Sequence, residues 1–366
     1  MQINIIGIRG VPAAHGGFES FAARFAPYMI EQGHDVLVYC QDDDGAFGPF
    51  EEDMWEGVRR VHVQPRRNGA VGTMDFDLQC IRDVAKRPGV DLVLGYNTAI
   101  FSLHQRMARR KIAINMDGIE WKRAKWSFPA KSWFFVNELL GANLAHVAIA
   151  DHPEIARHVA RRTRKEPVMI PYGSDRIESA DVARIEAMGL APHNYFVSIA
   201  RVEPENSILE LVQAFSKVDG DSKCVILGRL DETNAYHRAV RAAGNDRVVF
   251  PGAIYDQKRV QALRYFAAAY LHGHQVGGTN PSLVEALGAG RPVIAHDNRF
   301  NRWTAGEEQL FFSNRSEAAQ AMRRIAGSND LQDRLGQAAL GRHQRDFTFD
   351  KVHRAYEEVL VRLANQ

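Results

Sequence analysis

Gly277 and Gly278 lead into Thr279, Asn280 and Pro281, and Glu285 follows within the segment GGTNPSLVEALGAG. Asn280 is a good N-cap and Pro281 suits the first helical position. A helix start offers unpaired amides and partial positive charge, which suit a phosphate. Glu285, one turn inside, could accept hydrogen bonds from a ribose-type hydroxyl; the alternative is a solvated helix glutamate. Just upstream, His272 and His274 follow an apolar strand, and alternation points them the same way. Imidazoles there could donate to a diphosphate or carry charge. They could also be a purely structural pair. No Cys or carboxylate stands at the spacing of a zinc site.

Arg201 ends another apolar strand and opens RVEPENS. Ligands of parallel sheets sit beyond the carboxyl ends of the strands, where an arginine can clamp a phosphate with two donors. The competing reading is a surface arginine paired with Glu203 or Glu205.

In the first half, Gly16 and Gly17 sit where the loop after the first strand becomes a helix. The spacing is neither GxGxxG nor a P-loop, so the choice between a phosphate-binding start and a plain tight turn stays open. Asp117 follows a third-quarter strand of that half in NMDGIEWKR, with Glu120 three residues on. Lys122, Arg123, Lys125 and Lys131 alternate there with Trp121, Trp126 and Trp133. That mixture suits a membrane interface or an ordinary amphipathic surface. The acidic run Asp42–Asp44 lies in a polar loop and reads as solvated.

These residues must be held by strands and helices, and the chain alternates the two as parallel-sheet proteins do. Strands are expected at 2–8, 35–40, 58–63, 92–95, 112–116 and 147–150. A helix is expected at 17–32, with Pro27 kinking it, and another at 153–162. A second cycle has strands at 195–200, 223–228, 247–250, 268–271 and 292–295, with helices at 207–218 and 281–289 among those between. From Ser316 onward the pattern is helical only. The last helix, Phe349–Ala364, has no following strand and is expected to pack back onto the first half. The expected division is 1–172 plus 349–366, and 190–348, two α/β domains hinged near 172–192.

Composition limits the function. The chain has 366 residues and a formal charge of +2, which argues against a general nucleic-acid binder. The balance is uneven: from Phe101 to Tyr172 there are thirteen Lys/Arg against six Asp/Glu. Cys40, Cys80 and Cys224 are isolated in apolar runs and read as buried reduced thiols. No window is long and apolar enough for a membrane span, and the first ten residues do not form a signal peptide. The expectation is a cytoplasmic protein.

Taken together, the chain resembles the GT-B glycosyltransferases of family 4 over nearly its full length. The resemblance is carried by Gly16–Glu19 (GGFE), Arg201 with Pro204–Asn206, Ile226–Leu230 (ILGRL) and Gly277–Gly290. His272–His274 and Asn115–Arg123 narrow it to the bacterial branch with rhamnosyltransferases of capsule and exopolysaccharide assembly. It implies two Rossmann-like domains facing across a cleft. The acceptor side would be N-terminal and the donor side C-terminal.

The resemblance further implies a retaining hexosyltransferase that needs no cofactor or metal. Its donor would be a dTDP-, UDP- or GDP-sugar, with rhamnose the sugar suggested by the branch. The basic stretch Arg106–Lys131, in the half expected to bind acceptor, gives the expectation of a lipid-linked glycan acceptor at the inner face of the plasma membrane and of association with an anionic membrane. Asp117, Arg201 and His274 would be catalytic. Gly16, Gly17, Asn206, His272, Gly278, Thr279, Asn280 and Glu285 would bind donor. Two positions depart from the family pattern: a common glutamate eight residues before Glu285 is Gly277, and a common lysine after the arginine loop is Asn206. They leave open an inactive nucleotide-sugar-binding partner, or an epimerase on the same fold.

Overall fold

The computed structural model describes residues 1–13, 16–123 and 125–366, so Ala14 and His15 of the first glycine loop and Ala124 of the basic stretch lie outside it. The chain divides into two compact units, Met1–Pro171 with Asp350–Gln366, and Tyr172–Phe349.

The first unit is built from β1 (Gln2–Ile6), α1 (Gly17–Glu31), β2 (Asp35–Gln41), β3 (Glu51–Trp55), β4 (Val58–Val63), α2 (Gly69–Val84) and β5 (Val90–Leu94). There follow α3 (Ser102–Met107), β6 (Lys111–Asn115), α4 (Phe128–Leu144), β7 (Val147–Ala150), α5 (Pro153–Ala160) and β8 (Val168–Met169). The sheet order is β3-β4-β2-β1-β5-β6-β7-β8. All neighbours are parallel except β3 and β4. The order reverses between β1 and β5, which makes a topological switch point there.

Its strands are nearly continuous apolar runs, as a sheet covered on both faces requires. Strand β1 stops at Ile6 rather than Ile8. Helix α1 is continuous across Pro27. Strand β3 was not expected, because Glu51, Glu52 and Asp53 have poor strand character. It is an edge strand held by cross-strand charge: Arg60 Nε donates to Asp53 Oδ1 at 2.7 Å. The acidic loop after β2 corrects another expectation. Asp42 is buried, not solvated, and accepts from the amides of Ala46 and Phe47, each at 3.0 Å. Burial works against its charge, but those amides hold its pKa below the ordinary carboxylate value.

The C-terminal helix, Phe349–Ala364, completes this unit as expected. Its Tyr356 hydroxyl accepts from Asn115 Nδ2 at 2.6 Å, and Glu357 accepts from the Tyr28 hydroxyl at 2.9 Å. Tyr356 and His353 pack on the rings of Phe21 and Phe25 of α1.

The second unit runs α6 (Ala183–Glu186), β9 (Tyr195–Ile199), α7 (Ile208–Phe215), β10 (Lys223–Leu227), α8 (Ala235–Ala243), β11 (Val248–Gly252) and α9 (Gln257–Tyr265). It continues with β12 (Ala269–His272), α10 (Pro281–Gly288), β13 (Val293–His296), α11 (Arg299–Ala305), β14 (Leu310–Phe312), α12 (Arg315–Ala326) and α13 (Asn329–Asp346). Its parallel sheet has the order β11-β10-β9-β12-β13-β14, the doubly wound Rossmann order. Two apolar clusters cover its faces, one including residues of α7 and α12, the other residues of α9, α10 and α13. All three cysteines are buried and free, and burial raises each thiol pKa.

Candidate active site in the second unit

The strand order of the second unit reverses between β9 and β12. Two of the expected loops leave the sheet at that point, one after Ile199 and one after His272. They are laced together. The Gln275 amide donates to the Glu205 carbonyl and Gln275 Nε2 to Ser207 Oγ, each at 2.9 Å. A Cβ on Gly273 would stand 2.1 Å from the Asn206 carbonyl oxygen, so only glycine permits this approach.

Arg201 stands exposed on the first loop. Its backbone carbonyl receives the Glu203 amide at 2.9 Å and Asn206 Nδ2 at 2.8 Å. Among the described residues its guanidinium has no ion-pair partner, so the alternative pairing with Glu203 or Glu205 is not formed. Asn206 is buried, and its side-chain nitrogen braces the loop backbone.

His272, at the end of β12, stacks on His274 of the second loop, with centroids 4.4 Å apart and planes at 12°. They do face the same way. His272 is fully buried, and neither ring nitrogen has a hydrogen-bond partner. Burial, together with His274 and His296, drives its pKa well below the ordinary value. His272 is therefore a neutral ring near pH 7, not a carrier of charge. Buried polar groups without partners are uncommon and call for an explanation.

Helix α10 begins as the residue types require: Asn280 is the N-cap, accepting from the Ser282 amide at 3.0 Å, and Pro281 is the first helical residue. Thr279 is buried and Gly278 half-buried beside this start. Gly277 is exposed with φ 143, a conformation that L side chains rarely adopt. A side chain at this position would strain the backbone.

Glu285 is half-buried and is not a free helix glutamate. Its carboxylate pairs with the guanidinium of Arg264, in the last turn of α9, whose side chain is only 6% exposed. Arg264 Nη2 also donates to Ser282 Oγ at 3.0 Å, which receives the Tyr270 hydroxyl at 2.8 Å. Arg264 was missed in the sequence. It lies outside every motif, and a lone arginine in a polar helix gives no signal.

In the first unit, Asp117 follows β6 with φ 48, and its amide donates to Asn115 Oδ1 at 2.9 Å. Burial, with Glu120 adding repulsion, raises its pKa to about 6. Glu120 accepts from Trp126 Nε1 at 2.9 Å and pairs with Arg123 at 2.7 Å. Gly16 is the N-cap of α1, and Gly17 its first residue. The Glu19 carboxylate folds back over this start and accepts the Arg9 amide at 3.1 Å. Gly16 has φ 106, a conformation that L side chains rarely adopt, so the glycine is needed without any ligand. Glu19 would compete with a phosphate there.

Comparisons with known proteins bear on both units. Residues 189–342 match the family model described as glycosyl transferases group 1. The match lies within the second unit. Residues 1–175 match a domain of unknown function, DUF1972. No curated protein matches the chain.

Among solved structures, sucrose-phosphate synthase from Thermosynechococcus elongatus is similar, with TM-score 0.82 and 18% identity over 99% of this chain and 98% of that one. HepE of Anabaena, solved with UDP, has TM-score 0.77 and 15% identity over 99% and 100%. A UDP-forming α,α-trehalose-phosphate synthase from Burkholderia vietnamiensis has TM-score 0.75 and 11% identity over 99% of each chain. At such identities the likeness defines the fold, which is GT-B. The segment matched by the glycosyl transferases group 1 model contains Arg201, His272, His274 and Glu285.

Proposed function

We propose that the chain transfers a sugar from a nucleotide-sugar donor to a glycan acceptor. The observation that carries this is the fully buried His272, with two unpartnered nitrogens, at the switch point of a Rossmann-ordered sheet. Arg201 and the start of α10 border the same point. The group 1 domain match and the UDP and glucose in the similar HepE structure support a nucleoside diphosphate-sugar as ligand.

In this reading the bond from the anomeric carbon to the β-phosphate oxygen breaks and a bond to the acceptor oxygen forms. The acceptor proton ends on the departing diphosphate. The sugar passes through an oxocarbenium-like state. Arg201, His274 and the amides near Gly278–Asn280 stabilise the charge that grows on the diphosphate. Neutral His272 orients His274, and Glu285, fixed by Arg264, accepts a ribose hydroxyl. Asp117 orients the acceptor. Asn206 and Thr279 hold the loops that shape the pocket. Gly16 and Gly17 are the weakest of the proposed donor contacts because of Glu19.

The finer reading is a retaining, metal-independent transferase of the cytoplasm, using rhamnose and a lipid-linked acceptor. The sugar and mechanism rest on the family resemblance and on the two departures at Gly277 and Asn206, and the lipid-linked acceptor rests on the basic stretch Arg106–Lys131. A second reading, an inactive nucleotide-sugar-binding protein, is favoured by Gly277, where no carboxylate can grip the sugar. Incubation with dTDP-, UDP- and GDP-sugars and a lipid-linked acceptor separates the two. Release of nucleoside diphosphate with acceptor glycosylation supports transfer; tight nucleotide binding without turnover supports the second reading.

A further inference from the structure

Helix α4 is amphipathic the wrong way round for a helix of a free-standing unit. Its inward face carries Asn137 and Glu138, which are 0% and 2% exposed. Both are fully engaged. Asn137 accepts the Ile100 amide at 2.9 Å, and Glu138 accepts from Trp121 Nε1 at 2.9 Å and pairs with His158 at 2.8 Å. Its outward face carries Phe128 (82% exposed), Phe135, Val136 and Leu139, spaced as one helical stripe. Leu103 and exposed Met107 of the adjoining α3 extend it.

The rim of this face is basic. Arg162 lies 5.0 Å from the Phe135 ring, Lys122 lies 5.4 Å from Trp121, which meets Phe135 edge-on, and Lys125 lies 4.6 Å from Trp126, whose ring is tilted against Phe134. Of the thirteen basic residues between 101 and 172, eight are exposed; of the six acidic residues, Glu166 alone is exposed, among the described residues. Most of the segment's positive charges face water, and five of its six carboxylates do not.

We propose that the outward face of α4, with α3, docks on an anionic lipid surface. An aromatic and aliphatic stripe enters the acyl boundary while Lys and Arg at the rim meet phosphate headgroups. A protein partner or a second copy would satisfy the stripe but would not call for the one-sided charge. No helix of the described residues is long and apolar enough to cross a membrane, so the contact is interfacial. This surface adds to the lipid-linked acceptor reading without depending on it.

The test is co-sedimentation of the full chain with phosphatidylcholine vesicles, with and without phosphatidylglycerol, in the absence of donor and acceptor. Binding should rise with phosphatidylglycerol and fall with salt. Phe128→Ser with Phe135→Ser and Leu139→Ser should lower binding by roughly tenfold or more at unchanged melting temperature. Should that variant fail to fold, Phe128→Ser alone, at the most exposed position, should still weaken binding measurably. Lys122→Glu with Lys125→Glu should cost roughly fivefold per charge and abolish the phosphatidylglycerol preference. Wild-type binding to neither vesicle, or folded variants that bind like the wild type, overturns the proposal. So does a dimer in solution that the apolar variants dissolve, which would assign the face to a second copy.

Discussion

Arg264 and Glu285, 21 positions apart, form an ion pair that joins the end of α9 to the middle of α10. The arginine is buried and the glutamate half-exposed, so the two partners are not equivalent. Loss of the glutamate strands a buried charge; loss of the arginine leaves a carboxylate that water can reach. Glu285→Ala should therefore destabilise the second unit by about 1–3 kcal/mol, less than the roughly 3–5 kcal/mol of a fully buried pair because Glu285 is partly solvated. Arg264→Met should destabilise less, yet weaken nucleotide binding because Glu285 loses its fixed position. Chemical denaturation and nucleotide titration of both variants check the asymmetry.

Arg201 makes no ion pair among the described residues and is exposed. Arg201→Ala should leave the melting temperature within about a degree or two of wild type, as surface changes usually do. It should reduce kcat by roughly 100- to 1,000-fold, the usual cost of one donor to a developing anion. Equal activity would remove Arg201 from the reaction.

His272→Phe replaces an unpartnered buried imidazole by an apolar ring. It should raise stability by about 1–2 kcal/mol, since the desolvation penalty of an unsatisfied polar group is removed. Donor affinity should fall at the same time. A destabilised variant with intact affinity would make the histidine a packing residue.

Asp117 gives the activity its expected pH dependence. Its folded pKa of about 6 lies above the ordinary 3.8, chiefly through burial. A raised pKa means that its contribution to stability is present below about 4 and lost as pH rises through about 6. If the ionised form orients the acceptor, activity falls on the acid side with an apparent pKa near 6. Asp117→Asn should abolish that limb, lower turnover and raise stability at pH 7.

The alternation of apolar runs and helical periodicity made both sheets legible, and Val58–Val63, Val147–Ala150 and Phe349–Ala364 occur with the expected bounds. Asn280 and Pro281 announced the start of α10 because capping is local chemistry. What was not legible depends on tertiary partners. Strand β3 exists because Asp53 meets Arg60 across the sheet. Asp42 is buried because the amides at 46 and 47 turn back onto it. The fixing of Glu285 by Arg264 needs a contact between two helices that no spacing rule encodes. The backbone at Gly277 was likewise invisible, since a glycine in a sequence does not disclose its φ.

The most direct test of the central claim is calorimetric titration of the purified chain with dTDP-, UDP- and GDP-sugars, with EDTA present. The account predicts saturable binding of one nucleotide class without metal, weakened at least roughly tenfold, or about 1.4 kcal/mol, in both Arg201→Ala and Glu285→Ala. Absence of binding by every nucleotide-sugar, or equal affinity in folded variants, would contradict it.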